Sequence, residues 1–461
     1  MSRTFAVEDP ASLEVLAHVP DATPEQGTAA VDAAAAALPG WSGTPPRQRS
    51  EVLRRAYELM LRDKDQLAEL ISRENGKSLV DAAGEVAYAA EFFRWFSEEA
   101  VRSDGHYGES PAGGTRTLVR TRPVGVAALV TPWNFPAAMA TRKLAPALAA
   151  GCTAVLKPAA ETPLTALAIA ELLIEAGLPK EAVQVITTTD AGGVVSAWLQ
   201  DQRVRKVSFT GSTGVGQTLL RQAADRVLNM SMELGGNAPF IVFDDADVAA
   251  AVDGAMVAKF RGGGQACTAA NRFYVHSDVL ERFTAGLASR VETLSVGRAA
   301  DGCAIGPLIS AAAVQRVQEA VDRVLQQGAR VIAQSALPDS PGYFFPPTVL
   351  ADVPADADIL REEIFAPVVC LVAWQDEDEL LRWANDSEYG LAAYVYSGDL
   401  RRALRFGERL EAGMVGVNRG LVSDPAAPFG GVKQSGLGRE GAREGLRAFQ
   451  ETQYLSVDWP C

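Results

Sequence analysis

A chain of 461 residues exceeds what one hydrophobic core organises, because single cores stop growing at about 250–300 residues, so we expect two large domains. Hydrophobic residues make up 48% and charged residues 22% of the sequence, which argues against a disordered or fibrous protein. The net charge of -14 and the scattered Lys and Arg residues argue against a nucleic acid as partner.

Charged residues interrupt every long apolar stretch, and the first ten residues lack the basic and apolar regions of a signal peptide. The sequence therefore predicts a cytoplasmic protein without a membrane partner. The cysteines are few, odd in number and widely spaced, which argues against a disulfide framework and a metal site: they are Cys152, Cys267, Cys303, Cys370 and Cys461. The histidines are isolated, so we expect any catalytic base to be a carboxylate.

The first hundred residues predict helices, with apolar residues at helical spacing from Val52 to Ile71 and from Val80 to Phe96. From residue 124, short β-rich runs alternate with helices in the pattern of a parallel, doubly wound sheet; the runs are VGVAALV, TAVLK, VQVIT and RKVSFTG. The helix after TAVLK is expected to have Thr162 as its N-cap, with Pro163 in the first turn and Gly177 just past the end.

A second α/β series begins near Pro239 and runs to about residue 430. We therefore predict an α/β fold in which residues 1–102 and 124–234 form a Rossmann-like, doubly wound dinucleotide-binding domain and residues 235–430 form a catalytic domain. Residues 103–123 and 440–461 are expected to be exposed strands. Because unpaired strand edges tend to be covered, these strands predict a small β element for oligomerisation, in a homodimer or homotetramer.

Cys267 follows three glycines, Gly262, Gly263 and Gly264, which allow a tight turn and bring amide N–H groups close to a bound oxygen. The thiolate is the reactive form of cysteine, so a nucleophilic cysteine needs nearby cations or a helix N-terminus. For a cysteine considered alone, a small buried hydrophobe is the better interpretation. The neighbouring motifs favour a nucleophile instead.

Two further positions suit the same chemistry. Glu233 ends a predicted strand before a Gly-Gly turn at the domain boundary, where a carboxylate faces a cleft and is suited to activate water; the alternative is a capping or salt-bridged group. Asn134, in TPWNFP, follows a strand at its C-terminal end and offers a neutral amide donor for a developing oxyanion.

Gly211, Ser212 and Val215 lie in VSFTGSTGVG, which joins a strand to a helix and suits a pyrophosphate at a helix N-terminus. The spacing departs from the G-x-G-x-x-G dinucleotide fingerprint, so this motif alone leaves the question open. Lys157 ends the run TAVLK, where an exposed ammonium is well placed for a ribose or a phosphate.

These motifs resemble the aldehyde dehydrogenase superfamily over nearly the whole chain, since PWNFP, FTGST, ELGGNAP, GQ-x-C and EE-x-F-x-P stand in the family's order. The resemblance implies that Cys267 attacks an aldehyde carbon while Asn134 and the Cys267 backbone N–H hold the oxyanion. Hydride then passes to a nicotinamide, and Glu233 activates the water that hydrolyses the thioester. The resemblance also assigns five residues to the cofactor, with Glu363 on the nicotinamide ribose: Trp133, Lys157, Ser212, Glu363 and Phe365.

Departures from the family pattern bear on the cofactor. Ala160 stands where NAD-preferring relatives often carry a ribose-chelating glutamate, which leaves room for a 2′-phosphate, so we expect NADP or NAD with NADP accepted. Glu161 and Thr188 leave the ranking of the two cofactors open. Ala269 replaces the second cysteine that forms a disulfide switch in some relatives, so we expect none here.

Within the family, the closest likeness is to succinate-semialdehyde dehydrogenase. Arg142, Arg261 and Ser423 match the positions that bind the substrate's distal carboxylate there, and each charge-assisted hydrogen bond contributes about 1.5–3 kcal/mol. The alternative is that an arginine pairs with internal acids. Because Arg419 and Asp424 are unusual near this pocket, glutarate semialdehyde or another aliphatic aldehyde stays open.

Two other functions remain as alternatives. A coenzyme A-acylating dehydrogenase would transfer the thioester to a thiol, and Glu233 argues against it because that transfer needs no water-activating base. A non-catalytic protein that reuses the fold is the other alternative, which the joint presence of nucleophile, oxyanion donor and base argues against.

Overall fold

The computed structural model describes residues 3–102 and 105–459, and the predicted α/β fold class is confirmed. The strands of the described residues are β1 (Thr4–Glu8), β2 (Val15–Pro20), β3 (Gly105–Glu109), β4 (Thr115–Pro123), β5 (Val126–Val130), β6 (Thr153–Lys157), β7 (Val183–Val185), β8 (Val204–Thr210), β9 (Asn229–Glu233), β10 (Ala238–Val242), β11 (Ala270–His276), β12 (Arg330–Gln334), β13 (Thr348–Ala351), β14 (Val368–Trp374), β15 (Tyr389–Gly390), β16 (Ala392–Tyr396), β17 (Met414–Val417), β18 (Val432–Lys433), β19 (Gly436–Leu437) and β20 (Gln450–Asp458).

The α-helices of the same residues are α1 (Pro24–Gly43), α2 (Pro46–Arg62), α3 (Lys64–Asn75), α4 (Leu79–Glu99), α5 (Pro136–Ala150), α6 (Leu164–Glu175), α7 (Ala191–Gln200), α8 (Thr213–Ala224), α9 (Val248–Phe260), α10 (Ser277–Glu292), α11 (Ala311–Gln326), α12 (Glu377–Asn385), α13 (Leu400–Arg409) and α14 (Ala442–Arg447).

The first large sheet has six strands in the order β19-β9-β8-β5-β6-β7, and all neighbours except β19 and β9 run parallel. Its adjacent inner strands β5 and β6 are buried along their whole length, because helices cover both faces of a parallel sheet. In the register, Val130 lies beside Lys157 and Phe209, and Thr210 lies beside Glu233. The carboxyl ends of four strands therefore meet at one edge.

The second large sheet has seven strands in the order β12-β13-β14-β11-β10-β16-β17. It is parallel except where β12 meets β13, and the first residues of β10 and β11, Ala238 and Ala270, are paired. Cys267 comes just before β11, and Gly235 and Gly236 connect β9 directly to β10. The amino edge of this sheet thus meets the carboxyl edge of the first sheet.

Helix α5 lies between the first sheet and α4, and all of its residues are buried. Its many alanines allow this, because a helix that is packed on every side has no face for large polar groups. Arg142 and Lys143 are exceptions, two adjacent cations that the helix carries into the interior. Each of these cations needs a partner there.

A third, antiparallel sheet has the order β20-β4-β3 and contains the two predicted exposed segments. The expectation of a strand over 440–461 was wrong for its first part, because Ala442–Arg447 form helix α14 and bury Leu446. Gly445 packs against Phe96 of α4, so this segment adds to the core instead of to the sheet edge. Four residues of the predicted segments lie outside the described residues: 103, 104, 460 and 461, the last of which is Cys461.

Two local predictions in the first 177 residues also differ from the structure. The chain opens with the hairpin β1–β2 before its first helix, although helices were expected there. Helix α6 has Pro163, and not Thr162, as its N-cap. The Glu74 carboxylate accepts the N–H groups of Leu164 and Thr165, so an acid from α3 replaces the expected hydroxyl cap.

Across residues 3–102 and 105–459, no helix is both long and apolar enough to cross a membrane. The division into a dinucleotide-binding domain (1–102 and 124–234), a catalytic domain (235–430) and oligomerisation strands stays a prediction.

Candidate active site

The sheet edges bring the predicted catalytic residues together. Asn134 follows β5 and precedes α5, Glu233 ends β9, and Cys267 lies in the loop before β11. The Asn134 amide nitrogen Nδ2 donates to the backbone carbonyl of Gln265 at 3.0 Å, which ties the loop after β5 to the loop of Cys267. This contact joins residues that are 131 positions apart in sequence, at the junction of the two sheets.

The loop before Cys267 depends on its glycines. Gly262, Gly263 and Gly264 have φ angles of 62°, 64° and 74°, in the left-handed region where residues with a Cβ atom are strained. A side chain at Gly236 would collide with the Cys267 carbonyl oxygen, so the Gly-Gly turn after β9 permits the Cys267 loop to approach.

Contacts from α4, from β16 and from the loop before α11 hold this loop. The Asp81 carboxylate of α4 accepts the Gly262 N–H at 2.8 Å. The Gln265 side chain donates to the Pro307 carbonyl at 3.2 Å. The Tyr394 hydroxyl of β16 donates to the Thr268 carbonyl at 2.8 Å, one residue beyond Cys267. The thiol is therefore presented by a loop that is fixed on both of its sides.

Burial raises the pKa of the half-buried Cys267 thiol to about 12. Arg142 opposes this shift, Glu363 and Glu233 add to it, and Arg261 also opposes it. At neutral pH the thiol is consequently protonated in this arrangement. A reaction that starts from the thiolate needs a group that accepts the proton.

Glu233 is 2% exposed, and neither of its carboxylate oxygens has a hydrogen-bond partner among the described residues. Burial, and next the charge of Glu440, raise the pKa of Glu233 well above its usual value. Lys143, Arg142 and Arg439 act in the opposite direction. The geometry thus provides a buried carboxyl group whose pKa has moved toward neutrality, the property required of a general base.

Glu440 connects Glu233 with the two buried cations of α5. It pairs with Lys143 at 2.5 Å and accepts the Ser208 hydroxyl at 3.1 Å, while Arg142 lies 3.9 Å away, beyond hydrogen-bond distance. The sequence interpretation did not include Lys143 or Glu440. They lie 297 positions apart, so local patterns do not reveal their contact.

Arg142 is 2% exposed and donates to the Tyr88 hydroxyl at 2.6 Å. Its guanidinium carbon lies 3.9 Å from the centre of the Phe429 ring. Nε and Nη1 of Arg142 have no hydrogen-bond partner within the described ranges. A buried guanidinium with unused donors is costly unless an anion meets it.

Arg261 is half-buried at the start of the glycine loop, with its guanidinium carbon 5.1 Å from the Phe135 ring centre. The positive charges of Arg142 and Arg261 both lower the pKa of the Cys267 thiol. Ser423 is half-buried in the loop between β17 and β18. In the part of the chain that the structure describes, its hydroxyl forms no hydrogen bond with either arginine.

The residues expected at the cofactor border the same junction. Trp133 and Phe365 form an edge-on pair with ring centres 5.5 Å apart. A Glu363 carboxylate oxygen accepts the Gly236 N–H at 2.9 Å, and burial raises the pKa of Glu363 to about 7. Lys157 is buried, and burial lowers its pKa.

Helix α8 provides the test of fit for a dinucleotide. Its N-cap residue Ser212 makes no side-chain capping bond, so the amides of the first turn remain for a phosphate. Gly211 donates to the Glu233 carbonyl at 3.1 Å, which fixes this turn beside β9, and Val215 is half-exposed in the first turn. Ala160 is half-buried just after β6, with Glu161 exposed beside it. This edge fits a pyrophosphate and a ribose.

Among residues 3–102 and 105–459, no cluster of three or more His, Cys, Asp or Glu side chains is arranged to hold a metal ion. Cys152, Cys267, Cys303 and Cys370 are free thiols. Ala269 is buried two residues after Cys267.

Comparisons with known proteins identify the family of this chain. The model of the aldehyde dehydrogenase family matches residues 1–455. A succinate-semialdehyde dehydrogenase of Paenarthrobacter nicotinovorans is 52% identical and the match covers 97% of this chain and 99% of that protein. The succinate-semialdehyde dehydrogenase (NADP(+)) GabD of Escherichia coli strain K12 is 47% identical, with 98% and 94% covered.

A glutarate-semialdehyde dehydrogenase of Pseudomonas putida is also 47% identical, with 99% of this chain and 94% of that protein covered. The crystal structure of succinate-semialdehyde dehydrogenase from Burkholderia pseudomallei superposes with a TM-score of 0.97 at 46% identity, covering 99% and 95% of the two chains. The chain therefore belongs to the aldehyde dehydrogenase family and oxidises an aldehyde with NADP+ or NAD+.

Proposed function

We propose that this aldehyde dehydrogenase oxidises succinate semialdehyde to succinate. The observation that carries the proposal is the buried Arg142, whose Nε and Nη1 have no partner among the described residues although the side chain is 2% exposed. A carboxylate at the far end of the aldehyde supplies the missing anion, and Arg261 and Ser423 complete its pocket. The long distance of 3.9 Å between Arg142 and Glu440 speaks against an internal pair that satisfies the guanidinium.

In this proposal Cys267 gives its thiol proton to solvent water, and its sulfur attacks the aldehyde carbon to form the thiohemiacetal oxyanion. One N–H of the Asn134 amide is accepted by Gln265, and the other, with the Cys267 backbone N–H, stabilises the oxyanion. The nicotinamide, when bound, supplies the acceptor for the hydride that leaves the thiohemiacetal. Glu233 then takes a proton from the water that attacks the thioester and gives it to the departing Cys267 sulfur, so that the carboxylic acid and the free thiol are released.

For the cofactor, we propose that Trp133, Lys157, Glu363 and Phe365 contact the nucleotide. We also propose that the pyrophosphate is received by the segment from Gly211 to Val215, which leads into the first turn of α8. The absence of a carboxylate side chain at Ala160 supports acceptance of NADP, because no negative charge there repels a 2′-phosphate. The buried Lys157 ammonium supports the same choice.

We also propose that the protein is a homodimer or homotetramer that forms through the β3–β4–β20 sheet. Apolar side chains are exposed on this sheet, among them Tyr107, Leu118 and Tyr454. The cytoplasmic location stays a prediction.

The substrate proposal is tested by initial rates with succinate semialdehyde, glutarate semialdehyde and an uncharged aldehyde, each with NADP+ and NAD+. We expect kcat/KM to be highest for succinate semialdehyde and NADP+ to be accepted. A higher kcat/KM for glutarate semialdehyde would select the alternative that the Pseudomonas putida relative supports. Turnover confined to uncharged aldehydes would refute a carboxylate pocket.

Substitution of either pocket arginine is expected to raise KM for charged substrates alone. In Arg142→Met or Arg261→Met, KM for succinate semialdehyde should rise by about 10- to 150-fold, because one charge-assisted contact of about 1.5–3 kcal/mol is lost. KM for an uncharged aldehyde should stay the same. Arg290→Met is the control, since it removes an exposed cation that pairs with Asp253 on the surface. An equal rise for both substrates would contradict the assignment.

A further inference from the structure

The loop that carries Asn134 is held from outside the sheet by the segment between α3 and α4. Asn75, the last residue of α3, donates from Nδ2 to the Trp133 carbonyl at 3.0 Å. Lys77 donates from Nζ to the Asn134 carbonyl at 2.7 Å. Two successive peptide carbonyls of the loop are therefore held by two side chains that are two residues apart.

Gly76 lies between these two side chains and has a φ angle of 89°, in the left-handed region. A Cβ atom at this position would lie 2.6 Å from Cγ of Pro307. The position therefore needs glycine both for its backbone conformation and for space. The chain reverses here, which brings Asn75 and Lys77 to the same loop.

Glu85 of α4 extends this contact to the start of α5. One of its carboxylate oxygens pairs with Lys77 Nζ at 2.5 Å, and the other accepts the N–H groups of Ala137 and Ala138 at 2.8 and 3.2 Å. These amides belong to the first turn of α5, which follows Asn134 directly. The ion pair thus fixes the chain at Asn134 and at the helix that continues from it.

The two charged side chains are 2% and 0% exposed. Burying an ion pair is weak evidence for a gain in stability, because desolvation offsets much of the attraction between the charges. The contacts of this ion pair are made instead with the Asn134 loop and with the first turn of α5, which follows it. A position error of about 1 Å in a reacting group can cost about 100-fold in rate, so a rigid support at this point has a use in catalysis.

We propose that Lys77 and Glu85 are positioning residues that hold the Asn134 amide where the oxyanion forms. The inference rests on the proposed function of Asn134 as the oxyanion donor. Lys77 acts through the Asn134 backbone, and the Asn134 side chain reaches the Cys267 loop through the Gln265 carbonyl.

A double-mutant cycle with Lys77→Met and Asn134→Ala, measured as kcat and KM with a saturating cofactor, tests this proposal. Asn134→Ala should lower kcat by about 100- to 1,000-fold, as expected for loss of an oxyanion donor. Lys77→Met should lower kcat by about 10- to 100-fold with an unchanged KM. The double variant should be no slower than Asn134→Ala, because Lys77 has nothing to position once the amide is gone.

Multiplication of the two single effects, or an unchanged kcat in Lys77→Met, would overturn the positioning role while leaving the oxyanion role of Asn134 intact. An unchanged kcat in Asn134→Ala would overturn the oxyanion role itself, and the positioning role with it. The two failures are therefore distinguishable.

Lys206→Met is the matched control. Lys206 is a fully buried lysine that donates to Asn229 and Ser231 near the amino ends of the strands in the same sheet, away from Asn134. This variant should lower the melting temperature and leave kcat unchanged; an equal loss of kcat would refute the proposal.

If Lys77→Met does not fold, Glu85→Gln replaces it in the cycle, since the amide keeps the shape of Glu85 and removes its charge. A smaller fall in kcat, again absent in the Asn134→Ala background, is expected.

Discussion

Replacement of Cys267 with alanine is expected to lower kcat by about four orders of magnitude or more, because no other group in the site can form the thioester. The fall should be in kcat, while the dissociation constant for NADP+, measured by fluorescence titration, should remain that of the wild type. Binding is kept because the substitution leaves in place the residues that we propose for the cofactor, which lie at the strand edge of the first sheet and, for Glu363 and Phe365, just before β14.

Cys303→Ser is the control for this prediction. Cys303 is a half-buried free thiol in the loop before α11, outside the site. The control should keep its activity and should still be inactivated by iodoacetamide, with one adduct on Cys267. Full activity of Cys267→Ala, or inactivation by an adduct on Cys303, would refute the nucleophile assignment.

Replacement of Glu233 with glutamine is expected to separate the two halves of the reaction. Hydride leaves the thiohemiacetal before water is needed, so the variant should give a rapid burst of one reduced cofactor per subunit. Steady-state turnover should then fall by about 100- to 10,000-fold, the usual contribution of a general base. Rapid-mixing absorbance at 340 nm and mass spectrometry of the acylated protein measure the burst and the trapped thioester.

The direction in which kcat changes with pH follows from the raised pKa of Glu233. Burial and the charge of Glu440 raise the pKa of Glu233, so the carboxyl group is protonated over a wider range of low pH than an exposed glutamate. A base works only when it is deprotonated, and kcat of the wild type should therefore rise with pH through this raised pKa. The Glu233→Gln variant should lack that rise, whereas Glu171→Gln, on the exposed face of α6, should keep it.

Addition of coenzyme A distinguishes the hydrolytic enzyme from the remaining alternative, a coenzyme A-acylating dehydrogenase. If added coenzyme A restored turnover in Glu233→Gln and wild-type turnover also required it, the thioester would be transferred to a thiol and the hydrolytic proposal would be wrong. If Glu233→Gln turned over at the wild-type rate without coenzyme A, Glu233 would not be the base.

The parts of the site that could be predicted from the sequence are those at strand ends. Asn134 follows the fully apolar strand β5, and Glu233 ends β9 in the same sheet. The rule that the carboxyl ends of parallel strands share an edge is independent of distant contacts. The triglycine run before Cys267 likewise carries its own conformational preference, which the positive φ angles express.

The supporting residues could not be predicted in this way. Lys77 lies in the short segment before α4 and Glu85 lies on α4, whose periodicity indicates which face is buried but not what that face meets. Glu440 reaches Lys143 across most of the chain. Glu74, which is distant in sequence, caps α6 in place of the neighbouring hydroxyl that local patterns predict. Helix α14 forms where a strand was expected, because Leu446 is buried against the helices beside it.

The pairing of β9 with β19 sets an order in which the site can be completed during synthesis. Strand β9, which ends in Glu233, has β8 on one side and receives its other neighbour from Gly436 and Leu437. A nascent chain that has emerged only to residue 430 can align β5 to β9, yet the outer edge of β9 is still bare, and Glu440 has not reached Lys143. Glu233, the general base that we propose, therefore reaches its final environment late in translation. Until then this open strand edge is the place where two nascent chains can pair incorrectly.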